Sequence, residues 1–529
     1  MNENRILLHS LASARIKNAN RLNKLKRKFA NKAKVGMISN AALLNLYHTE
    51  LKHGTIKNNP ELENLLRKRK IRTLSGVAPV AVLTKPFPCP GRCLFCPTEE
   101  NMPKSYLSNE PAVMRAISLK FDPFKQVAQR LRALEANGHA TDKVELIIMG
   151  GTWSCLPVVY QKQFIKRCFD ACNQVNSANL AQAQTRNERA KHRIVALTLE
   201  TRPDYISETE IKRWREYGAT KVELGVQIAD DAILKFNNRG HGKAEVMRAT
   251  ELLKKAGFKI AYHIMPNLPG ATPTKDLREF KKLFSKPEYQ PDLLKIYPTV
   301  VTKNSKLYHL WKRGDFKPYS DKQLLNLLIK MKLAVPDRVR IIRLIRDIPE
   351  QSIVAGNLVS NLRQELKKEL ERIGKNCHCI RCREARENII GLSKAKLFVE
   401  KYQASGADEY FLQFCSPDLP SPRLRQASKL FAFLRLRLPA KDECNFIPEI
   451  QNCAMIREVH TYGRLIPLKK KLAGIQHAGL GTRLTEKAEQ IARRAGFKKM
   501  AVISGVGVRG YYRKLGYKKL GTYMIKNLG

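Results

Sequence analysis

Long apolar runs are missing from this 529-residue chain. None approaches the roughly 18 residues of a membrane span, and the N-terminus lacks the apolar centre of a secretory signal. A membrane-embedded or exported protein is thereby disfavoured, and a cytoplasmic location is expected. Acidic residues are also scarce: 47 Asp and Glu stand against 97 Lys and Arg, a formal net charge of +50. Such an excess predicts attraction to a polyanion, because every neutralised phosphate releases counterions. Nucleic acid is the expected partner, with generic solubility charge or a salty cytoplasm as the alternative. Spacing suited to a disulfide framework is absent too. The twelve Cys fall in tight clusters of metal-ligand spacing or lie scattered through periodic segments, which suits a reducing compartment.

What is present can fill real cores. Hydrophobic residues make up 43% of the chain, and its length suits roughly three or four domains. The most specific signal is the run Cys89-Pro90-Gly91-Arg92-Cys93-Leu94-Phe95-Cys96. Cubane iron–sulfur clusters are usually held by four Cys thiolates. Three thiolates at C-x3-C-x2-C spacing, Cys89, Cys93 and Cys96, leave one iron free to chelate S-adenosylmethionine, the opening of radical chemistry. A zinc knuckle completed by a distant ligand is the alternative.

From Arg15 to Arg72 the pattern predicts basic amphipathic helices. Leu22, Leu25 and Phe29 recur at helical spacing beside Lys24, Lys26, Arg27, Lys28, Lys32 and Lys34, and the cluster Arg67-Lys68-Arg69-Lys70 follows. An apolar stripe with a basic opposite face suits RNA backbone, a membrane surface or a transit peptide. RNA is preferred, because the segment lacks Trp and its apolar residues are small.

From about Ser75 to Arg346, short apolar strands alternate with helical patterns, the rhythm of repeated βα units and a parallel sheet or barrel. Functional groups in such folds collect at the C-terminal strand ends, which places Gly150, Gly151, Glu200, Arg202 and Gln227 around one cavity. Glycine pairs let backbone approach a ligand closely. A carboxylate after a strand can bind ribose hydroxyls or the amino group of S-adenosylmethionine. Singly, Gly150-Gly151 reads equally as a tight turn and Glu200 as a solvated acid.

These residues resemble the catalytic subunit of Elongator and its free-standing archaeal and bacterial relatives. The resemblance is carried by Arg72 to Val77, Lys85-Pro86, Tyr106, Glu110-Pro111, Met114-Arg115-Ala116 and Phe121-Asp122-Pro123. It continues in family order through Lys143-Val144-Glu145, Met149 to Thr152, Glu200 to Asp204, Glu223 to Gln227, Asn238 to His241, Met265 to Pro269 and Lys295 to Thr299. The match runs from about residue 65 to the C-terminus. Two departures stand out. The family commonly has a His after Cys-Pro and a longer spacing to the second Cys, where this chain has Gly91. The family's Gly-Gly after the third Cys is replaced by Thr98-Glu99. Neither removes a ligand.

Two further clusters complete the reading. Cys377-His378-Cys379-Ile380-Arg381-Cys382 follows a Gly-terminated helix and fits a tetrahedral zinc knuckle of Cys377, Cys379 and Cys382, with Cys415 or His378 as fourth ligand. Reduced surface cysteines are the alternative. The segment from about Phe431 resembles a Gcn5-related acetyltransferase. There a strand at Ile456 to His460 precedes Gln476-His477-Ala478-Gly479-Leu480-Gly481-Thr482, which opens a helix whose free N–H groups suit the pyrophosphate of coenzyme A. The run Gly507 to Tyr517 looks like the closing motif, with the hydroxyl of Tyr511 or Tyr512 near the thioester; both tyrosines also read as packing residues.

The expected fold is α/β. A basic helical tRNA-binding region (1–75) leads into a partial (β/α) barrel of radical-SAM type (76–346). A linker with the zinc knuckle (347–430) joins this to an acetyltransferase α+β domain (431–529). The resemblance implies acetyl-coenzyme A contacts at Lys143, at Glu458, Val459, His460 and Thr461, at Gln476 and Gly479, at Leu480, Gly481 and Thr482, and at Tyr512. Tyr511, Tyr512 and Lys295 would serve the reaction, Lys295 also helping to hold RNA. It further implies a 4Fe–4S cluster, S-adenosylmethionine, an external electron donor and a tRNA anticodon stem-loop, whose wobble uridine becomes 5-carboxymethyluridine. The route would be hydrogen abstraction from the acetyl methyl, addition to uridine carbon 5 and thioester hydrolysis. Accessory subunits are undetermined. A protein lysine acetyltransferase with a structural iron–sulfur cluster, or an RNA-binding scaffold with decayed sites, are the rivals.

Overall fold

The computed structural model describes residues 3–14, 16, 18–67, 76–358, 361–386, 391–417, 428–462 and 479–529. Expectations placed on Arg15, on Lys68 to Lys70, on Arg72 to Ser75 and on Gln476 to Ala478 lie outside these residues. No helix among the described residues is long and apolar enough to cross a membrane.

The N-terminal region forms four helices, α1 (Glu3–Ser13), α2 (Ala19–Ala33), α3 (Asn40–Lys52) and α4 (Pro60–Leu66). Asn18, Ser39 and Asn59 cap the last three by accepting backbone N–H bonds from Arg21, Ala42 and Leu62. Leu22, Leu25 and Phe29 pack onto Leu7, Leu11, Leu43 and Tyr47. Lys24, Arg27, Lys28, Lys32 and Lys34 stay exposed. Lys26 departs from the expected basic face: it is buried, and its Nζ donates to Asn40 Oδ1 at 2.6 Å. It lies one turn after Leu22, so helical geometry points it the same way.

The first sheet pairs seven parallel strands in sequence order: β1 (Ala78–Leu83), β2 (Lys143–Met149), β3 (Arg193–Thr201), β4 (Lys221–Gln227), β5 (Lys259–Ile264), β6 (Leu293–Ile296) and β7 (Arg340–Arg343). With β1 and β7 at its edges, the sheet is the partial barrel expected. Helical crossovers cover its outer face. On the inner face the period of two brings Lys221, Glu223, Gly225 and Gln227 of β4 into one lumen with Lys259 and His263 of β5 and Lys295 of β6.

The second sheet is mixed, in the order β13-β14-β12-β11-β10-β9-β8. Its strands are β8 (Lys396–Ala404), β9 (Ala407–Cys415), β10 (Leu430–Leu438), β11 (Ala454–Thr461), β12 (Lys499–Val502), β13 (Lys518–Leu520) and β14 (Tyr523–Asn527). Among the described residues, β11 and β12 are its one parallel strand pair. The sheet begins earlier than residue 431: β8 and β9, inside the stretch read as a linker, form its edge hairpin. Their two-residue turn, Ser405-Gly406, has φ of 47° and 72°, the left-handed pair that matches the twist of a tight hairpin. Upstream, Leu362, Leu366 and Leu370 join the first sheet's core, so this part of the stretch packs on the barrel.

The two sheets share that core, with Met455, Ile503 and Tyr523 packing among barrel residues. A Cβ on Gly505 would overlap the Val195 carbonyl, and one on Gly507 would lie 2.6 Å from Arg193 Cβ, so backbone meets backbone at the joint. Between β10 and β11, Leu436 pairs with Ile456 and Arg435 with Glu458, leaving Arg457 as a bulge residue. The bulge aims Arg457 at the barrel, where it donates to Asp292 Oδ1 at 3.0 Å, Glu409 Oε2 at 2.7 Å and the Phe258 carbonyl at 2.7 Å.

Candidate active site

A single cavity of about 1620 Å³ runs through the partial barrel, from the cysteine loop at the C-terminal strand ends to the second sheet at the N-terminal ends. Cys89, Cys93 and Cys96 all line it. A hydrogen bond from Cys96, helped by Arg239, brings the Cys93 thiol down to about 5, and the same bond together with burial pushes Cys96 well up. Arg239 Nη1 lies 3.5 Å from Cys93 Sγ, and its Nε and Nη2 are anchored on the Gly225 carbonyl at 3.2 and 2.6 Å. A guanidinium fixed on a sulfur favours the thiolate, the form that binds metal. A Cβ on Gly91 would overlap Arg202 Nη1, so the shortened loop closes directly on that guanidinium.

Gly150 and Gly151 leave β2 with φ of 137° and 97°, and a Cβ on Gly150 would run into Thr84 Oγ1. Gly151 lines the cavity while Gly150 presses on the end of β1. Arg202 grips Asp204 with Nε and Nη2 at 3.0 and 2.7 Å. Its Nη1, and Oε1 of Gln227, are buried with no hydrogen-bond partner among the described residues. Gln227 also holds φ of 72°, a left-handed conformation that costs a non-glycine residue roughly 1–2 kcal/mol. Each unsatisfied buried group costs about 1–3 kcal/mol more, and both residues line the lumen, where a polar ligand can complete them. Three thiol ligands, a free guanidinium N–H and a free amide oxygen fit a cluster with S-adenosylmethionine beside it.

Glu200 accepts the Tyr106 hydroxyl on Oε2 at 2.7 Å and Lys295 Nζ on Oε1 at 3.3 Å. Lys295 also pairs with Glu223 and is buried in the lumen between these two carboxylates. Glu223 further accepts His263 Nε2 at 3.1 Å and lies 3.6 Å from Lys221 Nζ, which binds Glu145 at 2.5 Å. Lys221, Glu223 and His263 went unassigned in the sequence. The available signal was two charged residues, Lys221 and Glu223, two positions apart in an otherwise mostly apolar strand.

At the far end, pairing of β11 with β12 stops at Ile456 and Val502, which leaves Glu458 to Thr461 free of β12 and lining the cavity. Lys143 borders the same end. Lys259 and Arg435 bind Glu458 at 3.2 and 3.0 Å; burial raises its carboxyl, but these cations outweigh that and bring it down to about 2. His460 stacks on Phe433 at 5.8 Å, and Val459 packs on the second sheet's core. Gly479, with φ of 69°, turns the chain into the helix Leu480–Arg494, whose first N–H groups receive no side-chain cap. Gly479, Gly481 and Thr482 line the cavity, whereas the Leu480 side chain is buried in the core. A Cβ on Gly481 would lie 3.0 Å from the Tyr511 hydroxyl, so Tyr511 caps the glycine turn. Tyr512 is buried against Tyr517, with ring centres 5.9 Å apart, and reaches the cavity wall.

Cys377, Cys379 and Cys382 converge outside the lumen, their Sγ atoms all within 4.8 Å of one another. Neither candidate fourth ligand joins them among the described residues. His378 faces Asp337 at 4.0 Å, while Cys415 donates to Gln413 Oε1 at 3.4 Å.

Residues 88–284 match the Radical SAM superfamily and 291–372 the Radical_SAM C-terminal domain. The tRNA uridine(34) acetyltransferase of Methanocaldococcus jannaschii is 44% identical over 494 residues, spanning 90% of this chain and 89% of that protein. Elongator complex protein 3 of Drosophila melanogaster is 38% identical over 481 residues, 88% of this chain and 85% of that one. Among solved structures, the archaeal Methanocaldococcus infernus Elp3 with N-terminus deletion (1-46) superposes with a TM-score of 0.72 at 41% identity, covering 85% of this chain and 99% of that one. Sequence, fold and cysteine site together place this chain in the radical SAM family of the tRNA uridine(34) acetyltransferases and Elongator complex protein 3.

Proposed function

We propose that this chain modifies uridine 34 of tRNA, joining an acetyl group from acetyl-coenzyme A to carbon 5 and releasing it as 5-carboxymethyluridine. The observation that carries the reading is the single lumen: the cysteine loop and the glycine turn of the second sheet open into one space. A simple lysine acetyltransferase has no use for that connection. When bound, the cluster and S-adenosylmethionine supply a 5′-deoxyadenosyl radical, with electrons from an external donor. Cys89, Cys93 and Cys96 would hold the cluster, and Gly151, Arg202 and Gln227 the S-adenosylmethionine. Glu458 to Thr461, the N–H groups of Leu480 to Thr482, and Tyr511 would hold coenzyme A, whose flexible arm would carry the thioester along the lumen. The exposed lysines of α2 would bind the RNA backbone, and an anticodon-loop base can be splayed into the lumen without opening a long duplex. Cys377, Cys379 and Cys382 would hold a structural zinc, and the setting would be the cytoplasm.

Protein reconstituted without oxygen, given unmodified tRNA, S-adenosylmethionine, reductant and acetyl-labelled coenzyme A, should place the label in carboxymethyluridine, and only when S-adenosylmethionine is present. Labelled lysine in protein substrates, with no labelled nucleoside, would replace this reading by the acetyltransferase one.

A further inference from the structure

The inner face of the partial barrel carries a row of charges that neither the thiol end nor the glycine-turn end accounts for. Glu145, Lys221, Glu223 and Lys295 form a continuous chain of ion pairs down the lumen. Every one of these groups is matched by an opposite charge. His263 differs. It lies on β5, four residues after Lys259, which reaches Glu458 beside the glycine-turn end, and two before Met265, which borders the lumen near Gln227. At a strand rise of about 3.3 Å per residue, His263 therefore stands about 13 Å in from Lys259 and about 7 Å from Met265. It is the part of the wall between the two ends.

Its bonding defines its chemistry. Glu223 Oε2 lies 3.1 Å from His263 Nε2, and a carboxylate can only accept, so Nε2 carries the proton. Nδ1 then keeps its lone pair and has no hydrogen-bond partner among the described residues, while the Tyr297 ring sits edge-on 5.7 Å away. Burial and the Lys295 ammonium hold the imidazole below its ordinary value, that is, neutral. Lys295, Lys221 and His263 keep Glu223 ionised against its burial. The groups facing His263 are thus Glu223, Lys295 and, beyond the ammonium, Glu200. The two carboxylates and the imidazole come within 4.8 Å of one another, as in a metal site, but the Lys295 ammonium binds both carboxylates and already supplies the cation there.

We infer that His263, oriented by Glu223, is the general base that hydrolyses the thioester once the acyl carbon is joined to uridine. This rests on the reading given under Proposed function. Nδ1 accepts a proton from water as the water oxygen bonds to the thioester carbonyl carbon. The carbon–sulfur bond breaks with its electron pair on sulfur, and the imidazolium returns the proton to that thiolate. Water and thioester become a carboxylic acid, which ionises, and free coenzyme A, with no oxidant or reductant consumed. Glu223 acts as a positioning residue.

The test uses the full-length enzyme with acetyl-labelled coenzyme A, unmodified tRNA, S-adenosylmethionine and reductant, comparing wild type with His263→Asn. Label, free coenzyme A and 5′-deoxyadenosine are followed together. The expected result is unchanged 5′-deoxyadenosine formation, label on the tRNA as an acyl thioester from which hydroxylamine releases coenzyme A while the label stays on the tRNA, and free carboxymethyluridine reduced by at least about 100-fold. Carboxymethyluridine formed at the wild-type rate overturns the assignment. So does normal 5′-deoxyadenosine formation with no label on the tRNA, because His263 would then act before hydrolysis. If His263→Asn loses 5′-deoxyadenosine formation, His263→Ala with added imidazole decides: restored release supports the role, and no restoration overturns it. Absence of labelled nucleoside with the wild-type enzyme instead overturns the underlying reaction.

Discussion

The two ends of the lumen solve opposite problems with similar materials. At the C-terminal strand ends, Arg202 Nη1 and Gln227 Oε1 are buried without partners, Gln227 holds a left-handed φ, and three thiols crowd one loop. At the N-terminal ends the charges are just as buried, yet each is paired with an opposite charge, Arg457 with Asp292 and Glu409 and Glu458 with Lys259 and Arg435; of the buried atoms in these groups Arg457 Nε alone has no hydrogen-bond partner among the described residues. Unsatisfied groups that face the lumen are ones a ligand can complete, since their cost persists until something binds. Satisfied ones mark a joint, where removing one partner strands the other. The second thiol triad, Cys377, Cys379 and Cys382, lies off the lumen, with Cys377 and Cys379 buried in the shared core.

The largest effect should come from the ligand end. Cys93→Ser is expected to abolish iron–sulfur absorbance and 5′-deoxyadenosine formation while leaving the denaturation midpoint near that of wild type. A large loss of stability would instead class this triad with the joints. At the other end, Arg457→Ala should lower stability by about 3–5 kcal/mol in chemical denaturation, because Asp292 and Glu409 would each lose their strongest partner. A change under about 1 kcal/mol would show that the interface does not depend on those charges. Cys377→Ser tests the second triad. It should lose one bound zinc per chain by elemental analysis and cost about 2 kcal/mol, with 5′-deoxyadenosine formation retained; lost radical chemistry would make it part of the active site.

The smallest effect is in pH. Glu458 is held at about 2 against an ordinary 4.5, burial being outweighed by Lys259 and Arg435. Its folded value lies below its unfolded one, so its stabilisation is complete above 4.5 and is lost as pH falls through about 2. Denaturation midpoints followed from pH 5 to 2 should fall less steeply in Glu458→Gln than in wild type. Equal slopes would remove Glu458 from the joint.

Much of the ligand end was legible in the sequence because its signals are local. The C-x3-C-x2-C spacing, the Gly150-Gly151 turn and the residues after each strand lie within a few positions of one another and reflect turn chemistry. The joint was not legible. Lys221 and Lys259 read as ordinary charges and Glu223 only as part of a motif, because alternation assigns a residue to a face without saying whether that face meets water. Lys26 went to the wrong face because its charge was weighed above its place one turn after Leu22. The β8–β9 hairpin passed for linker because its Ser-Gly turn is a weak signal without a sheet to pair with.

By itself, then, the sequence determined the parallel strand rhythm, the cysteine loop, the basic helices and the glycine turn before Leu480, all set by periodicities and spacings shorter than one structural element. Only the tertiary structure decided that two sheets share one core, that one lumen joins the thiols to the glycine turn, and that His263 lies between them beside Glu223. Those facts depend on residues from strands far apart in the chain, brought together by backbone contact at Gly505 and Gly507 and by the closing of buried charges. No local pattern encodes such pairings.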